Sequence, residues 1–364
     1  MSDGGGRFVE GRSMAGRRAV VASLLGVCLH GGGLGAASSD GQDPCAGAAP
    51  ALRPAAEALD RGQWAEAEGH LRSLQASHAS CGGVVLGLAR LRAARGDPTE
   101  AERLFELATG LLPDDAVAHA LFAQHWLSRG QRARADYESS LALSLDPDRP
   151  EALVVAGQIL GLKGQAAAAF QTLQKAARLG AGHAEAQYQL GVALFRRQLH
   201  AEAVRQFEKA VALRPTDARA RDYLALGYEA LGEAEHAEEA YQGALRVNDE
   251  GPFFDSFLDY NYGSFLLKQG RFDESRSHLD RAIALLPRSR GVRYERGKLN
   301  LTLGRFPAAR EDAERALSLP DPGGSVLDLQ VYYLLATVYA RLGETDLARK
   351  YADLSRTAKI PDQD

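Results

Sequence analysis

The sequence holds almost none of the short motifs that carry chemistry. It has no H-E-x-x-H, no C-x-x-C, no phosphate-binding glycine loop closed by Lys-Ser or Lys-Thr, and no G-x-S-x-G. The only glycine cluster near a possible motif, Gly31-Gly32-Gly33, follows no strand pattern. Nine histidines are scattered along the chain; His119 and His125, six apart, do not share a helical face and read as packed or solvated rather than as metal ligands. Carboxylate pairs such as Glu238-Glu239 read as solvated helix surface. No catalytic residue, metal or cofactor is assigned, and an enzyme is not expected. Beyond residue 37 no apolar run approaches the ~20 residues that span a bilayer. The formal net charge is −4, and without a basic stripe a nucleic-acid partner is not expected.

What the chain does have is a period. From Ala48 it repeats every 34 residues, in units 48–81, 82–115, 116–149, 150–183, 184–217, 218–251, 256–289, 290–323 and 329–362. Unit position 8 is always small: Ala55, Ala89, Ala123, Gly157, Gly191, Ala225, Gly263, Gly297 and Ala336. Position 20 is Ala67, Ala101, Ala135, Ala169, Ala203, Ala237, Ser275, Ala309 and Ala348. Position 15 is Gly62, Gly96, Gly130, Gly164, Gly232, Gly270, Gly304 and Gly343, with Gln198 as its exception. A repeat of this length describes stacked helix-turn-helix units, each in contact with its neighbours only.

Each column has a physical cause. Small residues at positions 8 and 20 let the two helices of a unit approach closely. Glycine at 15 closes the first helix, because the left-handed conformation that satisfies its last carbonyls is strained for other residues. Pro113, Pro147, Pro215 and Pro287 at position 32 stop the second helix. The alanines at position 27, Ala210 among them, are predicted to touch the next unit.

On these residues the chain resembles the tetratricopeptide-repeat family. In unit five Leu190-Gly191, Ala203, Phe207, Ala210 and Pro215 match the family pattern, and Tyr228 and Tyr339 supply its tyrosine at position 11. The tryptophan of position 4 is missing throughout. The resemblance covers about 310 of 364 residues and implies an all-α solenoid, a right-handed superhelix of about eighteen helices. Its shared motif is structural, so it names no partner.

The first 37 residues read as a cleaved export signal: Arg17-Arg18, an apolar run from Ala19 to Leu29, then the small residues Gly35-Ala36-Ala37. The arginine pair raises twin-arginine export, and Leu25-Gly26-Val27-Cys28 a lipoprotein anchor. The expected location is periplasmic or extracellular. Arginine outnumbers lysine and alanine is abundant, as in GC-rich bacterial genomes. Removing the leader takes the net charge from −4 to −6, since four arginines leave with two acids. It also leaves two cysteines, Cys45 and Cys81, to bracket unit one, and an even pair in an exported chain favours a disulfide over two free thiols. Residues 38–47 carry no period and are expected to form a flexible tail.

Two insertions, 252–255 and 324–328, interrupt the period. Each is about one helical turn long, so the first helices of units seven and nine are expected to start a turn early, with Pro252 in the first turn. Pro50 and Pro54 are expected to shorten the first helix of unit one so that it begins near Pro54.

The resemblance also says where a partner would sit. In tetratricopeptide arrays the concave face is lined by first helices, at positions 2, 5, 9, 12 and 13. Position 5 reads Leu52, Leu86, Ala120 and Val154 in units one to four, then Tyr188, Asp222, Tyr260, Tyr294 and Tyr333. Position 13 adds Arg196, Lys268 and Arg341, and position 9 adds Lys298. A tyrosine-lined groove with basic tips suits an extended peptide that bears carboxylates. Packing between neighbouring first helices would produce the same column, so both readings stand. The family's carboxylate-clamp pattern is absent. The expected function is a non-enzymatic scaffold for a protein or peptide in a bacterial envelope. The alternatives are an accessory subunit of a secreted or cell-surface enzyme or glycan-processing complex, and a self-associating structural protein.

Overall fold

The computed structural model describes residues 45–248, 253–321 and 326–358. They fall into two compact units, which we call the first and second bodies, divided between Asp255 and Ser256. The first body carries α1 (Ala49–Arg61), α2 (Trp64–Ser77), α3 (Gly82–Ala94), α4 (Pro98–Leu111), α5 (Ala116–Ser128), α6 (Arg132–Leu145), α7 (Pro150–Leu162), α8 (Ala166–Leu179), α9 (Ala184–Arg196), α10 (His200–Leu213), α11 (Ala218–Leu231) and α12 (Ala234–Val247). The second carries α13 (Leu258–Lys268), α14 (Phe272–Leu285), α15 (Arg290–Thr302), α16 (Phe306–Ser318), α17 (Asp328–Leu342) and α18 (Thr345–Thr357). The described residues are all-α, and the helices pack in consecutive pairs.

The small columns lie where the helices of a pair meet. A Cβ at Gly191 would stand 2.5 Å from the Phe207 ring, and one at Gly157 would stand 2.6 Å from Leu173. Position 8 faces position 24 most closely in units four, five and seven, whereas Gly297 of unit eight comes nearest to Leu334 of α17 at 3.1 Å; the position-20 backbone stands just behind, the Ala169 carbonyl being 3.5 Å from the Gly157 site. In unit seven Ser275 replaces alanine at position 20 and donates its hydroxyl to the Gly263 carbonyl at 2.7 Å. The alanines of position 27 from Ala108 to Ala316 are buried. Every glycine of position 15 has a left-handed φ between 71° and 79°, and Gln198 adopts the same conformation at φ 60°. Asp97, Asp115 and Asp217 cap α4, α5 and α11 by accepting backbone N–H groups of the first turn.

Helix α1 corrects one expectation. It is a full thirteen residues and contains Pro54 rather than beginning there. Pro50 sits in the first turn, where its missing N–H has no helical partner to lose, and Pro54 forfeits a single bond. Burial of Ala55, Ala58 and Leu59 outweighs that loss. The start of the helix is also tethered, because a disulfide joins Cys45 to Cys81 with Cα atoms 4.8 Å apart. The insertions correct another. Helix α13 starts at Leu258 and α17 at Asp328, so neither gains a turn. Phe253–Asp255 instead form a non-helical segment. Asn248 holds it by donating to the Asp255 carbonyl at 2.9 Å and accepting the Asp255 N–H at 2.6 Å. Pro252 and the leader lie outside the described residues.

Candidate functional site

The tyrosines of position 5 have unlike surroundings in the two bodies. Tyr188 on α9 is 5 % exposed. Its ring meets Tyr223 edge-on at 5.6 Å and Phe207 at 6.2 Å, and the Arg219 guanidinium lies 4.9 Å over its face. This tyrosine is part of the packing, although Arg196 at the end of the same helix is exposed. In the second body Tyr260 and Tyr294 are half-buried, and Tyr294 packs against the α16–α17 core. Tyr333 on α17 is 70 % exposed. The Lys298 ammonium lies 5.4 Å from the Tyr294 ring centre and 3.1 Å from the Glu295 carboxylate, so its charge is already balanced. Lys268 and Arg341 are exposed.

The first body turns charged residues inward. Glu185, Arg214, Asp217 and Arg219 form a buried ion network in which Arg219 reaches Asp217 at 2.7 Å and Glu185 at 3.0 Å. Burial by itself would raise the Asp217 pKa, but the Arg219 guanidinium, with Arg214 and the Ala220 N–H, holds it below the usual carboxylate range. Phe253 closes the network. It is 1 % exposed, and the Arg214 and Arg219 guanidiniums lie 4.4 and 5.2 Å from its ring. Arg90 of α3 pairs with Asp60 of α1 at 2.8 Å. Near them burial pushes the Glu151 carboxyl up to about 6, against its own N–H, Arg149 and Arg90, with Asp60 adding to the rise. Sequence reasoning missed all of these. Their only signal was charge at groove positions, Glu151, Glu185 and Arg219 at position 2 and Arg90 at position 9, which the resemblance assigns to the open concave face.

The two histidines are packed. His119 joins Glu138 at 2.7 Å and the Pro113 carbonyl at 3.0 Å. Burial lowers its pKa, but those two hydrogen bonds outweigh it and the net shift is upward. His125 sits among Phe105, Phe122 and Trp126, and burial, with Arg129 nearby, pulls its pKa down to about 4. No group of three metal-binding side chains is gathered among the described residues. No helix there is long and apolar enough to cross a membrane.

Paired helices, small contact columns and left-handed closing glycines are what one repeat family requires. Family models described as "Tetratricopeptide repeat" match residues 58–124, 184–217, 263–325 and 329–354. The chain belongs to the tetratricopeptide-repeat family. Among solved structures it is similar to a chain of the APC/C hetero-tetramer Cut9–Hcn1, with a TM-score of 0.64 at 14% identity, over 80% of this chain and 56% of that one. It is also similar to human IFIT1, solved as a dimer with PPP-AAAA, with a TM-score of 0.51 at 20% identity over 81% of this chain and 69% of that one. The chain therefore spans little more than half the length of the first of these. Likenesses this distant establish the fold alone. Comparison with curated proteins gives no sequence match.

Proposed function

We propose that the chain is a non-enzymatic scaffold of a bacterial envelope that holds an extended peptide segment of a partner protein on the first-helix face of residues 256–358. The observation that carries this reading is Tyr333. It stands open at the same unit position at which Tyr188 is packed away. A large aromatic left in solvent on α17, the helix that carries Arg341 and that touches α15 with its Tyr294 and Lys298, is a common anchor for a peptide with acidic groups. Tyr260 and Lys268 on α13 extend the same face. Tyr188 and Arg196 lie in the first body, outside this face, and the Tyr188 ring has little surface to offer. Export is supported by the basic-apolar-small leader and by a disulfide, which persists in oxidising compartments.

The test is affinity capture from envelope extract with the wild-type chain and with Tyr333→Ala and Tyr294→Ala. A partner held on this face is lost from both variants, while Tyr333→Ala keeps its melting temperature. A partner that both variants retain places binding elsewhere. A captured partner that is a secreted enzyme or glycan-processing subunit would favour the accessory-subunit reading. The IFIT1 likeness, with PPP-AAAA in its structure, makes a triphosphorylated RNA the appropriate negative control. The mildly acidic charge predicts that the RNA does not bind.

A further inference from the structure

The first body carries a surface of its own. Between α4, α5 and α6 is an open cleft of about 530 Å³. Phe122 and Trp126 line it, their ring centres 5.1 Å apart. Being four residues apart on α5, they share one helical face. Ala120 and Gln124, at concave positions 5 and 9, are each two residues earlier and so turned by roughly 200°. The cleft therefore faces away from the first-helix surface of its own body.

Its rim is unusual for this chain. Tyr137 on α6 lines the cleft and is 69 % exposed. It occupies unit position 22, where the other units carry Gly69, Arg103, Gln171, Arg205, Glu239, Ser277, Glu311 and Lys350. The fold thus asks for nothing large or apolar at that position. An exposed ring where every other unit is small or polar marks a surface shaped for contact. Trp126 is likewise the largest residue of its own column, position 11.

The charges name the class of occupant. The Arg134 guanidinium already lies over the Trp126 ring, 4.4 Å from its centre, so this wall accepts a cation. Arg134 is matched by Glu102 at 3.6 Å, and Glu138 by His119 at 2.7 Å. That leaves Glu106, exposed on the α4 side of the cleft, with no ion pair among the described residues. The balance is one uncompensated carboxylate beside an aromatic wall.

We propose that this cleft docks a basic side chain, lysine or arginine, carried on an extended segment of a partner protein. The stem packs along the Trp126 edge, the cation lies over the face of Tyr137, and its charge is matched by Glu106. The site is independent of the first-helix face, so either can fail without the other.

The chain has two tryptophans, and Trp64→Phe leaves Trp126 as the only reporter. In that background the acetylated, amidated peptide Gly-Arg-Gly-Arg-Gly should change the emission saturably, while the glutamate counterpart should not. Tyr137→Ala should weaken the basic peptide about tenfold, and Tyr137→Phe should restore it. Glu106→Gln should weaken it about threefold and flatten its salt dependence. Tyr333→Ala should leave it unchanged. Both cleft positions are exposed, so melting curves should match the parent. Equal affinity of the Tyr137→Ala protein for the basic peptide, equal binding of the acidic peptide, or no saturable signal would each overturn the proposal. So would N-acetyl-arginine amide binding as tightly as the peptide, because the site would then take a small cation rather than a docked chain.

Discussion

The two bodies are built from one repeat and use its inner face in opposite ways. In the first, position 5 is half-buried Leu52 and then Leu86, Ala120, Val154, Tyr188 and Asp222, all five buried, and the charged residues around them answer one another: Arg90 with Asp60, Arg219 with Glu185 and Asp217. In the second, the same position ends on Tyr333, which solvent reaches freely. The columns that make the fold, at positions 8, 15, 20 and 27, scarcely differ between the bodies. The columns that could make function do differ. A repeat protein can therefore vary its working surface without touching the contacts that stack its units.

The contrast breaks most visibly at the disulfide. Cys45 and Cys81 close a loop over unit one, with a sequence separation of 36. Cys45→Ser with Cys81→Ser should cost the first body up to ~4 kcal/mol through the freed entropy of its unfolded chain. Hydrogen exchange should show α1 and α2 losing protection while α15–α18 keep theirs. Unchanged exchange in α1 would mean that burial of Ala55, Ala58 and Leu59 holds the helix without the tether.

The next largest effect compares the two tyrosines directly. Tyr188→Ala empties a site enclosed by Phe207, Tyr223 and the Arg219 guanidinium, and should cost ~3 kcal/mol of stability. Tyr333→Ala should cost less than ~0.5 kcal/mol of stability, as exposed substitutions do. Paired denaturant melts decide it. Equal losses would show that the tyrosine column is packing throughout, and the binding reading would fall with it.

Such differences mark how far the sequence can be read. Small-residue columns were legible because every pair of helices meets the same obstacle, as the 2.5 Å approach of a Gly191 Cβ to Phe207 illustrates. The disulfide was legible from the even pair of cysteines, Cys45 and Cys81, that an expected leader cleavage leaves. The path of the insertion was not, because length alone suggested an extra helical turn. What decides it is a distant contact, Phe253 seated under Arg214 and Arg219. Helix α1 was misjudged because a proline's local cost was set against nothing, while burial and the tether act from outside the helix. The candidate groove residues were visible as a column, but no column reveals which of its members a neighbouring helix covers. The cleft near Tyr137 needed three helices at once.

Titration separates the bodies by a smaller margin. Glu151 is held neutral up to about pH 6, above its ordinary 4.5, chiefly by burial. A carboxyl with a raised folded pKa contributes no penalty below pH 4.5, and stability is lost as the pH climbs through 6. Glu151→Gln should therefore match the parent near pH 4 and exceed it near pH 8 by on the order of 1–2 kcal/mol. Melting temperatures across that range test it. A constant difference at every pH would mean that the side chain ionises freely.

The smallest effect concerns the turn between α9 and α10, where the first body departs from the rule that the second keeps. Gln198 holds φ at 60°, the conformation that glycine takes at every other position 15. A side chain there crowds its own backbone, at roughly 1 kcal/mol for a residue with a Cβ. The Gln198 N–H still closes the helix onto the Phe195 carbonyl at 2.9 Å, so the strain is borne without loss of the cap. Gln198→Gly should relieve it, offset in part by the greater freedom of glycine in the unfolded chain, for a net gain of ~0.5 kcal/mol. Gly270→Gln, the mirror change in the second body at φ 76°, should lose about the same amount. Thermal melts of the two variants should move in opposite directions. If Gln198→Gly destabilises instead, the glutamine side chain supplies a contact that outweighs its backbone strain.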